Sequence, residues 1–291
     1  MAEPPLDITS GTLLADVSRG KLTQQPKNSA LRIMAEAALF TLAAVVITSS
    51  WNVEHAGVFS IFLASAALAG RFNALMTENK ENIWTHKKGS LQSNRATALG
   101  LLSMFAGITL AYVCTATFLG EARTAESFRF ALSTAHIGSN TIATRRFSGL
   151  FALLSHNAAV LASFMVLALV YRSFGALLAL TWNACVWGVV LTLLVARGIS
   201  LTDGSTIVFV LVALLALLPH LVLEATAYVL GALAGIFLSK GLAKYEIETV
   251  EFKMVARASG SLVLIAAILL TLAGLVEHWF PDQLLRQLRA H

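Results

Sequence analysis

Apolar residues run along this chain in long stretches, and polar residues gather in the short segments between them. The first apolar stretch covers about 31–51 and the second about 57–76, joined by a brief turn at 52–56. A third runs over about 96–119, a fourth over 151–171 and a fifth over 174–196, the last two joined through the tight turn Arg172-Ser173-Phe174-Gly175. The sixth, 206–239, is interrupted only by Pro219, His220 and Glu224, and the seventh covers about 255–276. A helix rises about 1.5 Å per residue and a bilayer's hydrocarbon core is about 30 Å thick, so roughly 20 residues make one crossing. The pattern predicts about seven spans.

Two stretches do not fit a plain span. As one helix, 206–239 would extend about 50 Å, well beyond the hydrocarbon core. Pro219 lacks the backbone donor a helix interior needs, so a break is expected there, with 207–218 as a shorter or re-entrant piece. Residues 121–150 are too polar to cross. Phe128, Leu132 and Ala135 share one helical face while Arg123, Arg129, Arg145 and Arg146 mark the other, which reads as interfacial helices on the membrane broken near Gly138–Asn140.

The expected architecture is an all-α polytopic transmembrane helical bundle with interfacial amphipathic helices. A polar tail (1–30) precedes an N-terminal two-span hairpin with its basic loop (31–95). A five-span core follows (96–280, containing 121–150). The tail 281–291 sets Leu284, Leu285 and Leu288 opposite Arg286 and Arg289.

Composition agrees. Hydrophobic residues make up 57% and charged residues 13%, against about 25% charge in soluble domains, which excludes a water-soluble globular protein. In such a chain the net charge of +5 points to Lys and Arg facing anionic lipid, not to nucleic acid. A cytoplasmic N-terminus puts most of the 21 Lys and Arg residues on the cytoplasmic side. The expected placement is the plasma (inner) membrane, with the C-terminus outside. Cys114 and Cys185 lie inside apolar stretches without CxxC or zinc spacing, so no disulfide, metal or cofactor is expected. The sequence holds no phosphate loop, dinucleotide fingerprint or nucleophile elbow, and no enzymatic activity is expected.

The informative residues are the polar ones inside the wall. Asn157 and Asn183 each fall about 12–14 Å into a predicted span, near mid-membrane. His220 and Glu224 are four apart on one helix face, and Ala227, Gly231 and Gly235 continue that stripe. A lipid-facing carboxylate costs at least about 2.5 kcal/mol, so the stripe is expected to face other helices, which small residues allow to approach closely. Ala66 and Gly70 in the second span suggest a similar contact. Trp182 and Trp187 read as packing and His156 as an interior histidine. Glu36 reads as a headgroup-level carboxylate and Arg71 as a snorkelling cation. His220 and Glu224 fit two roles, a buried structural pair or a site that handles a proton or cation.

In order, His156-Asn157, Gly175, Trp182-Asn183, Gly188, Pro219-His220 with Glu224, then Gly231 and Gly235 resemble the stage II sporulation protein M family over about 96–280. That family has an Asn-rich start to one span, an Asn-Gly in the next and a Pro-His-Gly-x-x-Glu element later. Here Leu221 and Ala184 stand where the family has Gly, and His156 where it has a first Asn. The resemblance implies a five-span membrane core and a scaffold role in cell-envelope remodelling. Two functions are carried forward. One is a non-enzymatic scaffold that organises membrane protein partners, or further copies of itself, in the bilayer. The alternative is a proton- or cation-coupled transporter or channel-like protein with a mid-membrane site at Glu224 and His220.

Overall fold

The structure, a computed structural model, describes residues 29–51, 55–84, 86, 90–134, 150–200 and 205–289, with 84, 90, 91 and 279–289 described as backbone only. The tail 1–28, the expected break at Gly138–Asn140, Arg145 and Arg146, and the side-chain pattern of the C-terminal tail lie outside that description.

The helices are α1 (Ala30–Ser50), α2 (Ala56–Trp84), α3 (Ser90–Ser127), α4 (Arg129–Thr134), α5 (Leu150–Ser200), α6 (Thr206–Lys244) and α7 (Val250–Arg289). All but α4 are long and apolar enough to cross a membrane. Hydroxyls inside them bond back to their own helix, as Thr48 does to the Ala44 carbonyl (2.9 Å), Thr115 to Ala111 (2.8 Å) and Thr181 to Leu177 (2.9 Å). An apolar solvent demands this, because it offers polar groups no other partner.

α5 is two spans in one. Its 51 residues contain a non-helical Arg172 at φ 56°, ψ −131°. A Cβ at Gly175 would strike the Leu167 carbonyl, eight residues back and about 12 Å away in a straight helix. The chain therefore reverses at Arg172, and 150–171 and 173–200 form an antiparallel hairpin. With α5 counted twice, the described residues hold seven segments long and apolar enough to cross a membrane.

Lys80, Arg172 and Lys240 come close enough for their like charges to act on one another, which defines one end of the bundle as basic. At the other end Arg197 pairs with Glu121 (2.5 Å), and Gly198 abuts Phe209. α6 packs most extensively on α7 and on the hairpin, α1 on α3, and α3 joins the two groups through α5. Glycine sets the closest approaches: a Cβ at Gly107 would strike the Met34 carbonyl, and one at Gly235 would lie 2.7 Å from the Met165 carbonyl.

Four expectations change. First, α6 runs through Pro219 without a break over 39 residues. Pro219 is exposed, as are Leu215, Leu218 and Val222 beside it. It removes one backbone bond, whereas opening the helix in an apolar medium would strand several, so continuing costs least.

Second, residues 121–134 do not lie flat along the surface. Gly120 takes φ 74°, and Thr124 Oγ1 donates to the Ala116 carbonyl (3.1 Å), which requires the chain to fold back. Phe128 then meets Tyr112 edge-on at 5.9 Å, at a level about 12 Å below Gly120 along α3. Phe128, Ala131 and Leu132 are buried while Arg123 and Arg129 stay exposed. Three aromatic and aliphatic side chains on one face are better covered by the bundle than by headgroups, so the re-entrant piece is here and not at 207–218.

Third, Ala66 and Gly70 are exposed, and α2 instead buries Ile61, Ala64, Leu68 and Phe72. The larger side chains bury more apolar area and take the protein-facing side. Fourth, Arg71 ion-pairs with Glu36 at 3.2 Å, and Glu36 also takes Arg32 at 2.7 Å. One carboxylate thus pairs with two guanidinium groups where α1 and α2 meet.

Candidate functional site: a pocket between the helices

The α5 hairpin and α6 line a partly open cavity of about 390 Å³. Asn157 and Phe164 reach it from the first hairpin arm, and Trp182, Asn183 and Trp187 from the second. Glu224 and Tyr228 close it from α6, one helical turn apart, with Thr134 of the re-entrant segment and Glu277 of α7 at its margin. Residues that are far apart in sequence meet because the hairpin arms are antiparallel and α6 lies alongside both.

Glu224 is only 5% exposed, and its Oε1 accepts a hydrogen bond from Tyr228 Oη at 2.6 Å. Tyr228 is fully buried, and its ring stacks on Phe164 at 4.9 Å with planes 16° apart. That stacking fixes the phenol, and the phenol fixes the carboxylate. His220 is buried one turn before Glu224 and lies outside the cavity lining. Its ring sits 5.7 Å from that of Trp187, behind the wall that Trp187 forms.

Asn157, 4% exposed, and the partly buried Asn183 each carry a buried amide Nδ2 with no hydrogen-bond partner among the described residues. An unpaired buried donor costs about 1–3 kcal/mol.

Below the cavity, toward the basic end, the stripe's small residues seal α6 to the first hairpin arm. Ala227 is fully buried; Cβ atoms at Gly231 and Gly235 would run into Leu161 and into Met165 and Ala168. Asn157, Asn183 and Glu224 thus share the cavity, His220 supports it from behind, Ala227, Gly231 and Gly235 seat the helix that carries it, and Pro219 faces away.

Some site residues were hidden in the sequence. Trp182 and Trp187 read as packing, yet both line the cavity. Tyr228, four residues after Glu224 on its own stripe, is the acid's hydrogen-bond donor, and that spacing was the available signal. Glu277 comes from the last span, and only the tertiary fold brings it near. His156 also lines the cavity.

The bundle and its cavity define the class: a multi-pass, all-helical membrane protein with a mostly apolar pocket, carrying a few polar groups, between its helices. Within that class the chain belongs to the Stage II sporulation protein M family, whose match covers residues 38–280. The match takes in most of α1 and all of α2, which the motif-based resemblance from Ala96 leaves out. No curated protein and no solved structure matches the chain.

Proposed function

We propose that this chain is a non-enzymatic solute-binding membrane protein of the transporter or channel-like kind, in the plasma (inner) membrane with its N-terminus in the cytoplasm. The observation that carries this reading is the grouping of the Asn157 and Asn183 amides with the buried Glu224 around one cavity. Polar groups placed at mid-membrane are costly and mark binding or conduction sites. Glu224 supplies a charge or takes a proton, and Tyr228 holds it in place. His220 backs Trp187 and tunes the wall.

The test is reconstitution of the full chain into liposomes. Solute or proton flux, or saturable ligand binding, is expected, and Glu224→Gln should remove it while the melting profile survives. Flux equal to that of empty liposomes, with no saturable binding across cations and pH, overturns the proposal.

A scaffold role draws on a different observation. Arg123 and Arg129 are presented outward on a segment whose other face is docked into the bundle. With Glu126 exposed between them, this edge is of mixed charge and suits contact with a partner that presents charges of both signs. Crosslinking in native membrane should then return a stoichiometric partner that is lost on Arg123→Glu with Arg129→Glu. Recovery of the protein alone removes this reading.

A further inference from the structure

We propose that the open side of the pocket seats one acyl chain of an anionic phospholipid, whose phosphate is held at the basic end of the bundle by Lys80, Arg172 and Lys240. This goes beyond the solute reading and uses neither Glu224 nor flux.

The seat comes first. On the first hairpin arm His156, Val160, Ser163 and Leu167 line the pocket and fall within about 60° of one another around the helix. That stripe lies between a buried one (Asn157, Leu161, Phe164) and an outward one (Ala159, Ala162, Val166). The pocket therefore borders the surface that faces lipid. Across from it, Leu178, Trp182, Val186 and Val190 of the second arm also line the pocket and are only partly buried. A gap beside apolar side chains forfeits their dispersion contacts, and the material that a bilayer offers to fill one is a hydrocarbon chain.

Length agrees. From His156 to Leu167 the lining stripe extends about 16 Å, against about 15 Å for one leaflet of a 30 Å core. Near the turn the arms close on each other, where Gly175 meets the Leu167 carbonyl. Arg172 stands about 8 Å past Leu167, and the headgroup layer is about 5–8 Å deep on each side of the core. Tyr171 and Phe174, both exposed, flank it as aromatic side chains do at an interface.

Charge selects the headgroup. Lys80, Arg172 and Lys240 come from α2, the hairpin turn and α6, and their charges act on one another. Helix register agrees: Gly235 packs on Met165 and Ala168, so Lys240, five residues on, comes level with Arg172. None of the three pairs with a carboxylate among the described residues. The exposed Glu78 and Glu81 lie about 160° and 100° around α2 from Lys80. Arg172 also holds φ 56°, ψ −131°, a conformation that glycine takes without strain and other residues do not. Backbone strain in a turn is accounted for if the guanidinium there has a task. Lipid tails are as apolar as leucine, so exchanging a chain between pocket and bilayer is nearly neutral, and preference among lipids falls to the headgroup. In the orientation proposed above this end meets the cytoplasmic leaflet, which carries anionic lipid.

The experiment uses the full chain in phosphatidylcholine vesicles, into which phosphatidylglycerol or phosphatidylcholine with brominated chains is titrated. Bromine quenches tryptophan on contact, and the difference between wild type and Trp182→Phe isolates Trp182. Brominated phosphatidylglycerol should half-quench Trp182 at a mole fraction at least tenfold below that of brominated phosphatidylcholine. Lys80→Gln and Lys240→Gln should each raise that fraction about fivefold, the worth of one basic side chain near an anionic surface. Lys240→Arg should not. Arg172→Gly should weaken the preference equally while the melting temperature holds or rises, which a merely structural arginine would not give. Val160→Phe, which narrows the seat, should reduce quenching by both lipids.

Equal half-quenching fractions for the two lipids would mean bulk lipid contact and overturn the proposal. So would a preference that survives loss of all three cations, or a folded protein whose Trp182 neither lipid quenches. None of these outcomes bears on the solute reading, which stands or falls on flux or binding that Glu224→Gln removes.

Discussion

The two halves of α6 are both apolar and opposite in surroundings. From Thr206 to Val222 the helix sends Ile207, Leu211, Leu215, Leu218 and Val222 outward, a stripe of large aliphatic side chains with no protein against it. From Leu223 onward it turns small: Ala227, Gly231 and Gly235 face the hairpin, and Gly231 through Ile236 are buried without interruption. Both halves are satisfied, one by lipid and one by protein. A membrane removes the hydrophobic drive between helices, so what decides the partner is side-chain size and the presence of a polar group to hide. The cavity sits where the second half begins, at the step from one regime to the other.

The comparison is broken most severely at Gly235. A Cβ there would stand 2.7 Å from the Met165 carbonyl and 2.8 Å from the Ala168 Cβ, and backbone cannot swing aside as a side chain can. Gly235→Leu should cost about 3 kcal/mol or more, the upper range for overpacking. Loss of the monodisperse peak in fluorescence-detected size exclusion, or a melting transition lowered by many degrees, would register it. Leu211→Ala in the outward half is the control and should move the transition hardly at all. Equal effects at both positions would mean that the halves do not differ as described.

How much of this was readable beforehand follows from the same physics. Spans were legible because a bilayer forces about 20 apolar residues into each crossing. The inward stripe was legible because His220 and Glu224 share a face with the small residues and must be hidden. Small residues alone were not enough: Ala66 and Gly70 have the spacing but face outward, together with Asn73 and Thr77 on the same stripe. Pro219 misled because its cost depends on which way the ring points, and that is a tertiary property. The re-entrant segment was read as interfacial since its amphipathic face could have been covered equally by headgroups. Only the bundle's own surface near Tyr112 and Trp182 shows otherwise. Of the cavity, the amides and the acid were visible by depth. The aromatic wall was not, because a tryptophan beside a chamber and one in a packed core look the same in sequence.

Tyr228→Phe probes the step between the halves more gently. It removes the donor to Glu224 Oε1 while keeping the ring that stacks on Phe164. Hydrogen bonds to ionised groups contribute about 1.5–3 kcal/mol, so a loss of about 2 kcal/mol is expected in thermal or denaturant unfolding. A neutral outcome would mean that Glu224 is held by other contacts.

Asn157→Leu should move the other way. Its amide Nδ2 has no partner in the described protein, so replacing it with an apolar side chain of similar volume removes an orphan donor. A gain of about 1 kcal/mol in stability is expected together with loss of solute binding, the trade expected where a site is kept at the expense of the fold. Destabilisation with binding intact would instead make Asn157 interhelical glue.

Pro219→Ala is the smallest change and the sharpest check on the outward half. Proline in a helix interior is strongly disfavoured in water, by about 3 kcal/mol relative to alanine. α6 nevertheless runs continuously through it with the ring exposed. Alanine restores the bond to the Leu215 carbonyl and relieves the ring's contact with that turn, but surrounding bonds already hold the geometry. A gain of under about 1 kcal/mol is expected, because most of the penalty has been absorbed by the neighbouring turns. Solute affinity should not change, since Pro219 faces away from the cavity. If the substitution instead altered binding while leaving stability alone, the proline would be acting as a hinge. The two halves of α6 would then be two bodies that move, not one helix with two surroundings.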